Sequence, residues 1–243
     1  MQRIYRVGTR TSPLALKQVE EVFGVLKKFY PGVEPEVIGI DTYGDKDKVT
    51  PVSDIEGTDF FTREIDKALL KNEIDFAVHS AKDLPDELRD GLTIAAITYP
   101  IDSFDALVSK SGLTLDKLPE GARIGTSSLR RKEQLNKYRK DFGIVDIRGN
   151  IEERLRLLEE PDPDRRSGYL SRSPIGFSLD GIVIAACGLI RLGLSHRITQ
   201  KIPFDILKPR PLQGSLAIVA RQDKKDLIDL FSALDARQRI WQT

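Results

Sequence analysis

The first place in this chain where chemistry could be done is an acid beside a cation at the end of an apolar run. Asp75-Phe-Ala-Val-His-Ser-Ala-Lys-Asp-Leu-Pro85 opens with buried-strand character, breaks into the polar stretch His79-Ser80-Ala81-Lys82-Asp83, and stops at Pro85. Open α/β sheets present their sites there, at the carboxyl ends of strands. Asp83 could serve as an acid or as a counter-charge to a developing cation. Neighbouring opposite charges are also commonly plain surface ion pairs, and the end of a buried strand is what favours function here. The chain has two histidines, His79 and His196, with no patterned carboxylate partner, so no metal site is expected.

A second group of residues suits anions. Thr126-Ser127-Ser128 reads as a turn into a helix, where free N–H groups and hydroxyls meet the positive end of the dipole. Arg130 and Arg131 follow, with Arg148, Arg154 and Arg191 later, while Arg10 and Ser12 occupy the matching turn near the start of the chain. Arginine grips carboxylates with a planar fork that lysine cannot copy. A cleft lined by these groups would favour a ligand with several carboxylates, although arginines on a charged surface are often merely solvated.

The elements that must position these groups alternate strand and helix. Strands are expected at 5–8, 37–40, 75–78, 92–98, 104–108, 144–147, 180–185 and 215–220. Helices are expected after Ser12-Pro13, around Phe61 to Leu69, through Tyr138, through Leu158, over 186–192 and over 224–239. Ser12 is a good N-cap and Pro13 suits the first helical position. Leu16, Val19, Phe23 and Leu26 then form a core-facing stripe. Stretches 41–58 and 160–178 read as loop, the latter as an exposed insertion. Such alternation predicts mostly parallel sheets covered by helices. A weak repeat runs through the chain: Arg6-Val-Gly-Thr-Arg-Thr-Ser12 resembles Arg123-Ile-Gly-Thr-Ser-Ser-Leu129, and Asp75-Phe-Ala-Val resembles Asp180-Gly-Ile-Val. Two lobes of like build are therefore expected, with a ligand between them.

Composition narrows the function classes. The 243 residues are 40% hydrophobic and 31% charged, with a net charge of +1, so no global field argues for nucleic acid. The single cysteine, Cys187, excludes an intrachain disulfide and fits a reducing compartment. The N-terminus lacks an apolar signal core, and no apolar run approaches the roughly 20 residues that span a bilayer. A cytoplasmic protein is expected.

Taken together, these stretches resemble the porphobilinogen deaminase (hydroxymethylbilane synthase) family. The matching residues are Arg6-Val-Gly-Thr-Arg-Thr-Ser-Pro-Leu-Ala-Leu16, Val78-His-Ser-Ala-Lys-Asp-Leu-Pro85, Gly125-Thr-Ser-Ser-Leu-Arg-Arg131, Arg148-Gly-Asn150, the stretch 185–194 and Gln213-Gly214, in the family's order. The resemblance implies an α/β fold of two periplasmic-binding-protein-like lobes, each a mostly parallel sheet flanked by helices, with a cleft between them. The lobes would be 1–99 plus 203–222 and 100–202. A C-terminal helix over 223–243 would stand where the family's small third domain begins.

The resemblance also implies an activity. The family is a transferase of haem and other tetrapyrrole biosynthesis that joins four porphobilinogens head to tail, releasing ammonia each time, to give hydroxymethylbilane. Its growing chain hangs on a dipyrromethane cofactor bound covalently to a cysteine. Asp83 would be the catalytic carboxylate, assisting loss of the amino group and stabilising the azafulvene-like cation that follows. Lys82, Arg10, Ser12, Thr126, Ser128, Arg130, Arg131, Arg148, Arg154 and Arg191 would hold the acetate and propionate groups. The expected partners are porphobilinogen and oligopyrroles, with no nucleic acid and no membrane, on a monomer.

Two stretches depart from the family pattern. The family's cofactor cysteine lies in a glycine-rich loop of the third domain, absent here, and Cys187 is not its positional equivalent. The segment before the second helix is altered to Glu56-Gly-Thr-Asp-Phe-Phe61. A fragment, a shortened homologue or a split enzyme with its third domain on a separate chain would account for the missing loop. The alternative function is a two-lobed binding module for acidic pyrroles without turnover. A generic solute-binding protein is disfavoured by the missing signal sequence.

Overall fold

A computed structural model describes residues 3–46, 58–159 and 178–237. All but the last residue of the expected insertion at 160–178, and most of the loop before residue 58, lie outside the described residues. In chain order the elements are β1 (Arg3–Thr9), α1 (Pro13–Phe29), β2 (Val33–Gly39), α2 (Tyr43–Lys46), α3 (Arg63–Leu70), β3 (Phe76–Ser80), β4 (Leu92–Ile97), β5 (Asp105–Ser109), β6 (Arg123–Gly125), α4 (Leu129–Tyr138), β7 (Gly143–Val145), α5 (Ile151–Glu159), β8 (Gly181–Ala185), α6 (Ala186–Arg191), β9 (Gln200–Ile202), β10 (Leu216–Arg221) and α7 (Lys225–Phe231). No helix among the described residues is long and apolar enough to cross a membrane.

The chain divides into two compact units. Among the described residues, the first holds 3–46, 58–102 and 211–237, and the second holds 103–159 and 178–210. Residues 203–210 thus belong with the second unit rather than the first. The C-terminal helix is shorter than the sequence pattern suggested and packs into the first unit's core through Leu227 and Phe231.

The first sheet has the order β2-β1-β3-β10-β4 and the second β7-β6-β8-β5-β9. In each, two pairings are parallel and two antiparallel, because one strand, β10 or β5, runs against its neighbours. The expected mostly parallel sheets are therefore mixed sheets of one design. β10 is buried from Leu216 to Ala220, as a strand covered on both faces must be. On one face of the first sheet, Val19, Val22, Phe23 and Leu26 of α1 pack on Phe76 and Val78. On the other, Ile65 and Leu69 of α3 meet Ala77 and Val219. Ser12 caps α1 by accepting the Ala15 N–H at 3.3 Å, with Pro13 at the first position. Leu16 is 40% exposed, and Ala15 and Gln18 take the buried places in that turn.

The sequence repeat has a physical cause. In the first unit the Asp75 carboxylate accepts the Arg6 N–H at 2.8 Å, and the Asp75 N–H donates to the Arg6 carbonyl at 2.8 Å. In the second unit Asp180 accepts the Arg123 N–H at 2.8 Å, and its own N–H donates to the Arg123 carbonyl at 2.9 Å. This clasp fixes β1 beside β3 in the first unit and β6 beside β8 in the second. The paired glycines follow from it: a Cβ at Gly8 would strike Ile74, and one at Gly125 would crowd Leu179, the residues just before each aspartate.

Gly214, ahead of β10, has φ +95°, and a Cβ there would fall on the Asp102 carbonyl. Gly214→Ala is expected to destabilise the fold by about 2–4 kcal/mol, from left-handed strain plus a backbone clash. Chemical denaturation would check this, and an unchanged midpoint would show that the segment can shift freely.

Candidate functional site

Strand direction decides where the polar turns collect. In the first unit the parallel strands β2, β1 and β3 all end at one edge of the sheet, and the reversed β10 begins there, with Leu216 opposite Ser80. Arg10, Ser12, Thr42, Asp45, Lys82, Asp83 and Gln213 therefore come from segments leaving or entering one edge. Arg10 is tied to an acid of its own unit: its Nε lies 3.0 Å from one oxygen of Asp45 and its Nη2 binds the same carboxylate. Its guanidinium also stacks over Phe61, 4.6 Å from the ring centre. Asp45 takes the Thr42 hydroxyl at 2.7 Å as well. Burial opposes its ionisation, but the Arg10 fork and Thr42 overrule this and hold its carboxyl below the usual range.

β3 runs into a single 3-10 turn over Ala81–Asp83. Lys82 does not pair with its neighbour; its Nζ donates to Gln213 Oε1 at 3.3 Å. Asp83 is exposed, and no described residue holds its carboxylate by a hydrogen bond or ion pair. Gln18 on α1 donates to Ser80 Oγ at 2.8 Å and braces the turn from behind. His79 is buried, and its Nε2 has no hydrogen-bond partner among the described residues. Burial, reinforced by Arg10 and opposed by Asp83, pulls its pKa down to about 4, so it is neutral at pH 7.

The second unit repeats the layout. Thr126 to Ser128 leave β6, Arg148 follows β7, α6 with Arg191 follows β8, and the reversed β5 begins at the same edge, with Asp105 opposite Ala185. Thr126 is buried, Ser127 donates to the Ile147 carbonyl, and the Ser128 hydroxyl makes no cap bond to α4. Arg130 donates to Asp105 at 2.6 Å and to the Lys208 carbonyl. Arg131 is buried, with two donors on Asp105 at 3.0 and 2.6 Å and a third toward the Val183 carbonyl at 3.4 Å. Arg154 reaches back to the Gly149 carbonyl at 2.9 Å. Asn150 and Glu153 cap α5 reciprocally, each side chain accepting the other's N–H, at 2.8 and 2.7 Å. Cys187 lies buried in α6.

Sequence reasoning missed Asp45, Asp105 and Gln213 as members of these groups. Their partners lie 35, 25 or 26, and 131 residues away in the chain, so no local spacing connects them. The repeat gave no signal either, because it sets Arg10 opposite Ser127 rather than Arg130.

Two mixed α/β lobes of matching design define a periplasmic-binding-protein-like architecture. A solved structure from Actinomyces odontolyticus shares it, with a TM-score of 0.52, 15% identity, and coverage of 98% of this chain and 94% of that one. The family model "Porphobilinogen deaminase, dipyromethane cofactor binding domain" matches residues 5–229. Porphobilinogen deaminase of Natranaerobius thermophilus is 43% identical over 231 residues, covering 95% of this chain and 69% of that protein. That of Pelotomaculum thermopropionicum is 43% identical over 238 residues, covering 98% and 71%. The chain belongs to the porphobilinogen deaminase family.

The segment after Asp83 is fastened to the one carrying Phe61. Asp59 takes Arg63 and Arg89 at 2.8 Å each, which lowers its pKa to about 2. Beneath Arg89, 4.0 Å away, Asp66 is buried and accepts the Thr62 hydroxyl at 3.0 Å. Burial dominates there and raises the Asp66 pKa from 3.8 to about 6. The folded state thus binds this proton more tightly than the unfolded chain. Asp66 contributes stability that is present below pH 4 and lost as pH rises through about 6. Asp66→Asn, which can still accept from Thr62, is expected to stabilise the protein at pH 7–8 by up to about 3 kcal/mol. The gain should vanish near pH 4. Thermal unfolding of both proteins across pH would check this, and a pH-independent difference would contradict the assignment.

Proposed function

We propose that this chain acts as a porphobilinogen-condensing transferase of tetrapyrrole biosynthesis, with Asp83 as its reacting carboxylate. The observation that carries the reading is the Asp83 turn. Arg10, Arg130 and Arg131 each pair with an aspartate of their own lobe, whereas Asp83 stands exposed at the end of β3 with no ion-pair partner among the described residues. A carboxylate left open beside a tethered ammonium can stabilise positive charge as it develops on a substrate and can guide a proton to the leaving amine. In each cycle the substrate's aminomethyl C–N bond breaks, ammonia leaves, and the methylene carbon bonds to the acceptor pyrrole. Each new bond replaces the acceptor's α-hydrogen, which leaves as a proton; after four cycles, breaking the link to the acceptor and adding one water releases hydroxymethylbilane.

The donor chemistry of the two edges suits a dipyrromethane cofactor, because every pyrrole brings two carboxylates and the edges offer guanidinium, ammonium and hydroxyl groups. Thr126, Ser128, Arg130, Arg148, Arg154 and Arg191 would hold it from the second lobe, and Arg10, Ser12 and Lys82 would serve from the first. When bound, the group supplies the pyrrole carbon to which the first substrate is joined. Its covalent anchor does not fit Cys187, which is buried in α6. We assign the anchoring thiol to a segment outside these two lobes, on the same or a separate chain. A monomeric, cytoplasmic enzyme is part of the same reading, and the single cysteine is in keeping with a reducing compartment.

The competing reading is a binding module without turnover. Porphobilinogen turnover, followed by absorbance of the oxidised tetrapyrrole, separates the two. Asp83→Asn is expected to lower turnover at least about 100-fold while changing porphobilinogen affinity only a few-fold. Unchanged turnover in the variant would refute the role of Asp83, and absence of turnover in the parent would favour the binding module.

A further inference from the structure

Asp105 is the most heavily engaged buried acid of the second lobe and has no part in the mechanism above. Its side chain is 0% exposed. One oxygen takes Nε and Nη2 of Arg131 at 3.0 and 2.6 Å, and the other takes Nη2 of Arg130 at 2.6 Å. Burial alone would favour its neutral form, but the Arg131 charge and fork, then Arg130, keep it ionised. It opens the reversed strand β5, between Ala185 and Ile202, so the sheet itself fixes its position.

The consequence falls on Arg130. Its Nη2 is tied to Asp105 and its Nη1 to the Lys208 carbonyl, and Gln134 accepts the Lys208 N–H at 2.8 Å, locking that segment to α4. The guanidinium is held along one side by acceptors that belong to the fold. Arg131, buried and with three donors engaged, serves beneath as the counter-charge that lets Asp105 stay ionised.

We propose that Asp105 is a positioning residue for carboxylate recognition: it aims Arg130 at one substrate or cofactor carboxylate. The proposal rests on the functional reading above. Asp45 stands in the equivalent relation to Arg10 in the first lobe.

The test is a double-mutant cycle read by calorimetric titration with porphobilinogen. Asp105→Asn and Arg130→Gln are each expected to weaken binding about tenfold, since each removes a charge-assisted bond from one unit. The double variant should be no more than about twofold weaker than Arg130→Gln alone. A merely structural role would repeat the full Asp105→Asn loss in the Arg130→Gln background, and that result would overturn the proposal, as would parental affinity in Asp105→Asn. Should circular dichroism show Asp105→Asn unfolded, Asp105→Glu keeps the charge and displaces the carboxylate by one methylene. It is then expected to bind several-fold more weakly, and parental affinity would again refute positioning. A parent that binds no porphobilinogen would sink the functional reading and this proposal with it, whereas a binding parent without coupling sinks the proposal alone.

Discussion

An arginine kept ready for an anion cannot wait uncompensated at the end of a buried strand. Removing its charge from water costs several kcal/mol unless another charge or a set of acceptors takes the place of hydration. Both lobes meet this constraint in the same way. Asp45 holds Arg10, and Asp105 holds Arg130 and Arg131. The hydroxyl of Thr42 and the carbonyls of Lys208 and Val183 complete these groups. Against this compensated background Asp83, at the end of β3, is exposed and has no ion-pair partner among the described residues.

The sheets make the constraint workable. In each sheet four strands run one way and a fifth runs back, which brings polar turns to one edge, so groups far apart in the chain become neighbours without long loops. The Asp75–Arg6 and Asp180–Arg123 clasps set the register on which this depends. The close approaches at Gly8 and Gly125 follow from those clasps, which is why the same short phrase recurs 117 residues on, at Arg6 and Arg123. β10 returns from the second unit to fill the first sheet between β3 and β4, and it brings Gln213 to Lys82 as it does so.

Much of this was legible before any coordinates. The strand-to-helix alternation, the Ser12-Pro13 start of α1 and the turn bearing Lys82 and Asp83 all depend on local chemistry that neighbouring residues declare. The reversal of β5 and β10 was not legible, because a fully buried strand carries the same apolar signature in either direction. β9 is three residues long and too short for any period to show. The aspartates behind the arginines stayed hidden for a different reason: an ion pair between distant segments leaves no trace in either one. That is also why Arg131 read as a ligand-facing cation when its fork is already occupied inside the lobe.

The central claim is that the carboxyl-edge turns of both lobes receive acidic pyrroles. Amide chemical shifts of the labelled chain during titration with porphobilinogen test it most directly. The account predicts saturable shifts in the turns around Arg10 and Lys82–Asp83 and in those around Thr126–Arg130 and Arg148, with the opposite edges of both sheets unmoved. Shifts confined to the far edge of the second lobe, around Lys110, Lys117 and Asp180, would contradict it.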